Sequence, residues 1–252
     1  MNIMRKFRFL LICISLCSGA FAQGKDTISV RNDIQLIHLR DSFFIHVTTD
    51  TIEGFGVVSS NGLLVIRSGK ALMIDTPMDE AKTRVLLGFL RDSMHTVVSV
   101  FIPGHWHNDC IGGLAELHRR NVFSMANKLT VEECRKRNLE IPVASFSDYL
   151  KWSFCDVPVE CFYPGAGHSL DNIVIYFPVQ KILFGGCLIK SMESSGIGNI
   201  ADADVHAWPE TLKNVQEKFM DAETIIPGHG SVGSIELIEH TRSVVTEYLK
   251  NH

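Results

Sequence analysis

Apolar-rich runs of strand length follow the N-terminal segment: Ile34 to Leu39, Phe43 to Thr48, Leu63 to Ile66 and Ala71 to Ile74. The turn-forming pairs Asn61-Gly62 and Ser68-Gly69 are expected to bound the last two. Met78 to Asp92 places Ala81, Val85, Leu86 and Leu90 at helical spacing, and Thr96 to Ile102 returns to a buried strand pattern. A loop from Pro103 to Asp109 then leads to a short helix reaching Arg119 and a strand at Val122 to Met125. Thr130-Val131-Glu132-Glu133 has capping-box spacing for the next helix. The second half repeats the scheme, with strands predicted at Tyr149 to Phe154, Glu160 to Tyr163, Asn172 to Phe177, Lys181 to Phe184 and Thr224 to Ile226. Helices are predicted from Ala207 to Phe219 and from Ser234 to Lys250. This order predicts an α/β fold: an αββα sandwich of two mixed β-sheets with helices on the outer faces, internally pseudo-symmetric. No low-complexity linker divides it, so residues 23–252 read as a single domain.

Composition refines this picture at the N-terminus. Arg5, Lys6 and Arg8 precede the apolar run Phe9 to Leu16, and Ala20-Phe21-Ala22 supplies small residues two apart, the form of a secretory signal peptide over residues 1–22. The run is shorter than the ~20 residues that span a bilayer. The expectation is an exported, periplasmic protein with no membrane span after cleavage, and a monomer. Removing the leader takes the formal charge from -4 to -7, which offers no basic field to nucleic acid. Five cysteines remain: Cys110, Cys134, Cys155, Cys161 and Cys187. An odd number cannot be fully paired, and a thiol left free in an oxidising compartment calls for burial or a metal. Cys155 and Cys161 flank an expected turn at Asp156-Val157-Pro158 and could bridge; burial as small hydrophobes is the simpler expectation for both and for Cys134.

Seven of the eleven histidines stand alone in the sequence; four do not. His105-Trp106-His107-Asn108-Asp109 follows a buried strand and the breaker pair Pro103-Gly104. Residues two apart in an extended segment point the same way, so His105, His107 and Asp109 can converge. Three further strand ends offer a donor after glycine: Gly165-Ala166-Gly167-His168, Gly185-Gly186-Cys187 and Pro227-Gly228-His229-Gly230. His168 lies 61 residues past His107, Cys187 19 further and His229 another 42, so tertiary structure must gather them. Imidazole, carboxylate and thiolate together suit a divalent transition metal.

These segments, with Gly112-Gly113, Asp171-Asn172, Lys190 and Gly198-Asn199, resemble the class B metallo-β-lactamases of the first of three subclasses, through nearly all of residues 25–250. The resemblance implies two zinc ions per chain, one bound by His105, His107 and His168 and the other by Asp109, Cys187 and His229. It implies a small-molecule β-lactam substrate, with penicillins, cephalosporins and carbapenems opened at the lactam amide and antibiotic resistance conferred. Among the catalytic groups it places Asp109, Lys190 and Asn199: Lys190 holds the substrate carboxylate and Asn199 donates to the carbonyl oxygen. Phe55, in Glu53-Gly54-Phe55-Gly56, becomes an apolar substrate contact on a flap, although a plain hairpin fits those residues as well. Asp75 resembles a family aspartate that supports the ligand loop, and could equally cap the next helix.

The wider superfamily also holds two-zinc thioester and lactone hydrolases, whose motif usually places histidine after the aspartate. Cys110 stands there instead, and Cys187 with Lys190 points to the lactamase branch. A secreted zinc-binding protein without turnover is the non-enzymatic alternative.

Overall fold

The computed structural model describes residues 26–252, so the leader assigned to residues 1–22 lies outside the described residues. Strands β1 (Thr27–Arg31), β2 (Ile34–Arg40), β3 (Phe43–Ile52), β4 (Gly56–Arg67) and β5 (Lys70–Ile74) form an antiparallel meander. Helix α1 (Glu80–Met94) then crosses over to β6 (Val97–Ile102), which pairs parallel to β5. Short helices α2 (Asn108–Ile111) and α3 (Leu114–Arg119) lead to β7 (Phe123–Asn127), and α4 (Lys128–Lys136) leads to β8 (Ala144–Phe146), closing an eight-stranded mixed sheet. The second sheet has five strands: β9 (Tyr149–Phe154), β10 (Val157–Phe162), β11 (Val174–Phe177), β12 (Ile182–Gly186) and, after α5 (Trp208–Lys218), β13 (Thr224–Pro227), parallel to β12. Helix α6 (Glu236–Asn251) ends the chain. In both sheets antiparallel strands are followed by parallel β-helix-β crossovers: β5-α1-β6, β6-α2-α3-β7 and β7-α4-β8 in the first and β12-α5-β13 in the second, so the two halves share an order of elements but not a number.

The strand period of two sorts side chains into layers. Leu63, Val65, Leu72 and Ile74 face the second sheet, where Ile175, Phe177, Ile182 and Phe184 meet them. Their neighbours Leu64, Ala71 and Met73 face the opposite way, onto Leu86, Leu87 and Leu90 of α1. Val174, Tyr176 and Leu183 likewise cover Trp208, Leu212 and Val215 of α5 and Leu237 and Val245 of α6. Three apolar layers between four structural layers make the αββα sandwich.

Several local expectations are corrected. Asn61-Gly62 is not a turn; both residues lie in the middle of β4. Gly62 is needed because the buried His46 ring lies across it: a Cβ there would sit 2.0 Å from His46 Nε2. Thr130 does not cap α4; the Asn127 side chain does, accepting from Leu129 N–H at 2.9 Å, and Thr130 lies inside the helix. The turn between β9 and β10 is at Cys155-Asp156, both at positive φ, while Val157 and Pro158 belong to β10. Cys155 and Cys161 are free, as are Cys110, Cys134 and Cys187, and Cys161 is buried in the core between the sheets. The helix expected to reach Arg119 is two short ones, and strands β1 and β8 have no counterpart in the sequence reading.

Candidate metal centre

The chemistry-bearing loops leave the same rim of the sandwich, after β6, β10, β12 and β13. Rising from β6, the chain delivers Gly104 N–H to the buried Asp75 Oδ1 at 2.5 Å. This contact fixes the start of the His105–Asp109 segment; the cap of α1 is Asp79, so Asp75 supports the ligand loop. Burial raises the Asp75 carboxyl well above its usual range.

His105 Nε2 lies 2.8 Å from His107 Nδ1, which lies 3.2 Å from His168 Nε2. These three nitrogens face one point, with the rings edge to face. Each nitrogen is aimed by what the ring's other side meets. Cys110 Sγ lies 3.1 Å from His105 Nδ1, and Asp202 Oδ2 lies 3.2 Å from His107 Nε2. His168 Nδ1 is buried without a hydrogen-bond partner among the described residues, and its ring packs edge-on against Trp208. Trp208 is anchored in turn by Nε1–H donating to Leu188 O at 2.9 Å. Burial, aided by the neighbouring imidazoles, pushes His105 down to about 3 and His168 well below its usual value. These rings are therefore neutral, with lone pairs available to a metal.

Beside them, Cys187 Sγ lies 3.4 Å from Asp109 Oδ2 and 3.4 Å from His229 Nε2, and the last two are 3.3 Å apart. His229 Nδ1 faces Ser59 O at 2.9 Å, which leaves Nε2 for the cluster. Strand β4 holds this loop further: Asn61 Nδ2 donates to Pro227 O and Gly230 O, both at 2.9 Å, and Asn61 N–H donates to Gly228 O. Gly228 allows the β12 and β13 loops to meet, because a Cβ there would lie 2.5 Å from Cys187 Sγ. Hydrogen bonding from Cys110 and the nearby His229 bring the Cys187 thiol down to about 6 despite burial. Burial alone would raise the Asp109 carboxyl, but the His229 hydrogen bond and the surrounding imidazoles hold it low. His229 is raised in spite of its burial, by the negative charges of Cys187 and Asp109. The cluster draws a proton onto His229, which is the behaviour of an anionic donor set suited to a cation. Cys110 Sγ also approaches these donors, yet its contact with His105 Nδ1 places it behind that ring, and burial raises its thiol well above the usual range.

Both clusters open onto a cleft of about 720 Å³, in the range of small-molecule sites. Phe55 stands on the β3–β4 hairpin at its edge, 60% exposed. Lys190 is buried, with Nζ 5.3 Å from the centre of the Trp208 ring and burial lowering its pKa. Asn199 lines the cleft from an exposed loop, its Oδ1 accepting from Ala201 N–H at 3.1 Å. All nine residues singled out from the sequence thus border one cleft or its floor. The sequence reading missed Asp202, Asn61 and Trp208. Asp202 is separated from His107 by 95 residues, and nothing local in Ile200-Ala201-Asp202-Ala203 marks it.

No family model matches the chain. Among curated proteins it is 42% identical over 242 residues, 96% of the chain and 97% of the relative, to a metallo-beta-lactamase type 2 of Bacteroides fragilis. A metallo-beta-lactamase type 2 of Bacillus sp. (strain 170) is 33% identical over 90% of the chain and 89% of the relative. Among solved structures, a metallo-beta-lactamase from Pontibacter korlensis superposes with a TM-score of 0.82 at 33% identity, covering 84% of this chain and 99% of that one. On these likenesses and on the two donor clusters, the chain belongs to the class B metallo-β-lactamases, the zinc-dependent β-lactamases.

Proposed function

We propose that the protein opens the lactam amide of penicillins, cephalosporins and carbapenems, acting in the periplasm as a monomer after removal of residues 1–22. The observation that carries this reading is the adjacency of a neutral three-imidazole cluster and an anionic Asp–Cys–His cluster on the floor of one cleft. His105, His107 and His168 would hold one zinc, and Asp109, Cys187 and His229 the other; three protein donors leave a catalytic zinc a position for water or substrate. Zinc held there would supply Lewis-acid chemistry, acidifying water and polarising a carbonyl, and amide hydrolysis of that kind would need no covalent enzyme intermediate.

The protein's own groups orient the substrate. Lys190 offers a buried ammonium to the carboxylate common to these antibiotics, in a charge-assisted contact. Asn199 offers its amide to the lactam carbonyl oxygen as negative charge grows there. Phe55 and the β3–β4 hairpin cover the apolar side of the bound ring, and Asp109 fixes the mixed cluster beneath it.

Purified protein assayed on one antibiotic of each class, before and after treatment with a chelator, tests the reading. All three should be hydrolysed, activity should vanish on chelation and return with zinc, and clavulanate-type inhibitors should have no effect. Hydrolysis of thioesters or lactones with no β-lactam turnover would replace this reading with the other superfamily branch; stable zinc binding with no hydrolysis would leave a binding protein.

A further inference from the structure

Arg137 follows the last turn of α4, where a basic residue paired with Glu133 four residues earlier is an ordinary helix ending. Its other contacts are not ordinary. The guanidinium carbon lies 3.7 Å from the centre of the Trp106 ring. One guanidinium nitrogen lies 3.1 Å from Asp202 Oδ1. Asp202 uses its other oxygen, Oδ2, on His107 Nε2 at 3.2 Å. Trp106 packs edge-on against the same imidazole, with ring centroids 4.4 Å apart. Two independent supports of His107 therefore converge on one guanidinium.

We propose that Arg137 is a positioning residue for the metal centre, locking His107 through Asp202 and Trp106. The argument rests on the reading of His107 as a zinc ligand. With its Nε2 proton donated to Asp202, His107 keeps its lone pair on Nδ1, the nitrogen that faces His105 and His168. A carboxylate can accept that proton from several directions; Arg137 restricts it to one. Asp202 rides on the loop between Cys187 and α5, whereas His107 belongs to the loop after β6. Arg137, supplied by a third element and held by Glu133, ties the two loops to the packed body of the protein. Only a planar group can stack on Trp106 with its face while its edge reaches Asp202 and Glu133, so lysine is an incomplete substitute.

The test measures zinc affinity at the three-imidazole cluster alone, in a Cys187→Ser background, by competition with a chromophoric chelator. Changing the group behind a ligating histidine typically costs ~10–100-fold in metal affinity. Asp202→Asn should show a loss of that order. Arg137→Ala should weaken zinc by roughly 3- to 10-fold, the lower part of that scale because Asp202 remains. Arg137→Lys should recover part of the loss, and cobalt in the same cluster should report a changed ligand field for Arg137→Ala. Combining Arg137→Ala with Asp202→Asn should weaken zinc little beyond Asp202→Asn alone, since both act on one ring. Parent-like zinc affinity and cobalt spectrum in Arg137→Ala, or full additivity with Asp202→Asn, would overturn the proposal. Loss of zinc affinity matched by an equal loss of thermal stability in the metal-free protein, with no rescue by Arg137→Lys, would overturn it too. His107→Ala separates the two readings: if it binds zinc as tightly as the parent, the ligand assignment itself is wrong.

Discussion

The two donor clusters share a floor but are built on opposite electrostatic plans. The three-imidazole cluster is neutral: burial keeps His105 and His168 deprotonated, and its quality depends on the aim of each ring. The mixed cluster is anionic, with Asp109 and Cys187 both shifted toward their charged forms and His229 holding a proton against burial. Their supports differ in the same way. The imidazoles are aimed by side chains, Cys110 and Asp202, whereas His229 and its loop are held chiefly by the backbone and Asn61 amide of β4. Geometry governs one cluster and charge the other, so substitutions should separate them.

The largest expected effect breaks the mixed cluster. Cys187→Ser replaces a soft, readily ionised donor by a neutral hydroxyl, so zinc content should fall from two to one per chain. Its kcat/KM should fall by more than the ~10–100-fold expected of a group that only supports a ligand. Metal analysis after dialysis checks this, and two tightly held ions would remove Cys187 from the site.

Next is Lys190→Ala, which leaves both clusters intact and removes the cation beside them. A charge-assisted hydrogen bond is worth roughly 1.5–3 kcal/mol, and each 1.4 kcal/mol is about tenfold, so kcat/KM should fall by roughly 10- to 100-fold. The loss should appear mainly in KM, because the substrate carboxylate is charged before and during reaction. A neutral ester substrate should lose most of this sensitivity; equal losses on acid and ester would mean that Lys190 shapes the Cys187 loop.

A third test concerns His46, whose Nε2 faces Asp75 O at 3.1 Å, beside the carboxylate that holds the His105–Asp109 loop. Burial lowers His46 from 6.5 to about 4, so the unfolded chain takes up a proton there that the folded one refuses. The sign follows: stability supported by neutral His46 is present above pH 6.5 and is lost as pH falls toward 4. In His46→Gln, urea unfolding of metal-free protein should lose about 2 kcal/mol less than the parent between about pH 7.5 and about pH 5. Parallel pH profiles for the two proteins would show that His46 titrates normally.

The smallest effect sharpens the contrast from the other side. Cys110→Ser keeps a polar group behind His105 and should leave two zinc ions bound, with kcat/KM lowered at most several-fold, below the ~10–100-fold scale of a lost support. Loss of one ion would promote Cys110 from support to ligand.

The ligands were legible in the sequence because each follows a strand end marked by glycine or proline, a local signal. Their supports were not, because a supporting group is defined by its distance to a partner remote in sequence. Asp202 meets His107, and Asn61 meets the His229 loop 166 residues away. Asn61-Gly62 shows the cost of local rules: the pair has hairpin chemistry, but tertiary demands used the glycine to admit His46 and the asparagine to bind carbonyls. At α4 the better cap, Asn127, began the helix before Thr130 could. Most strand positions were readable from apolar runs, whereas β1 and β8 were not; β1 is mostly exposed and β8 has three residues, so neither carries a strong buried pattern.

The division of donors between the halves of the chain has a temporal meaning. His105, His107 and Asp109 are synthesised early, but neither cluster can close until the later segments bearing His168, Cys187 and His229 arrive and the second sheet docks on the first. Zinc is therefore a certificate of completed assembly rather than a seed for it. In refolding, tight zinc uptake should coincide with the last phase of sheet docking, and uptake that runs ahead of it would contradict this order. A chain stalled midway holds two parts of one lock and one part of the other, and cannot retain the key.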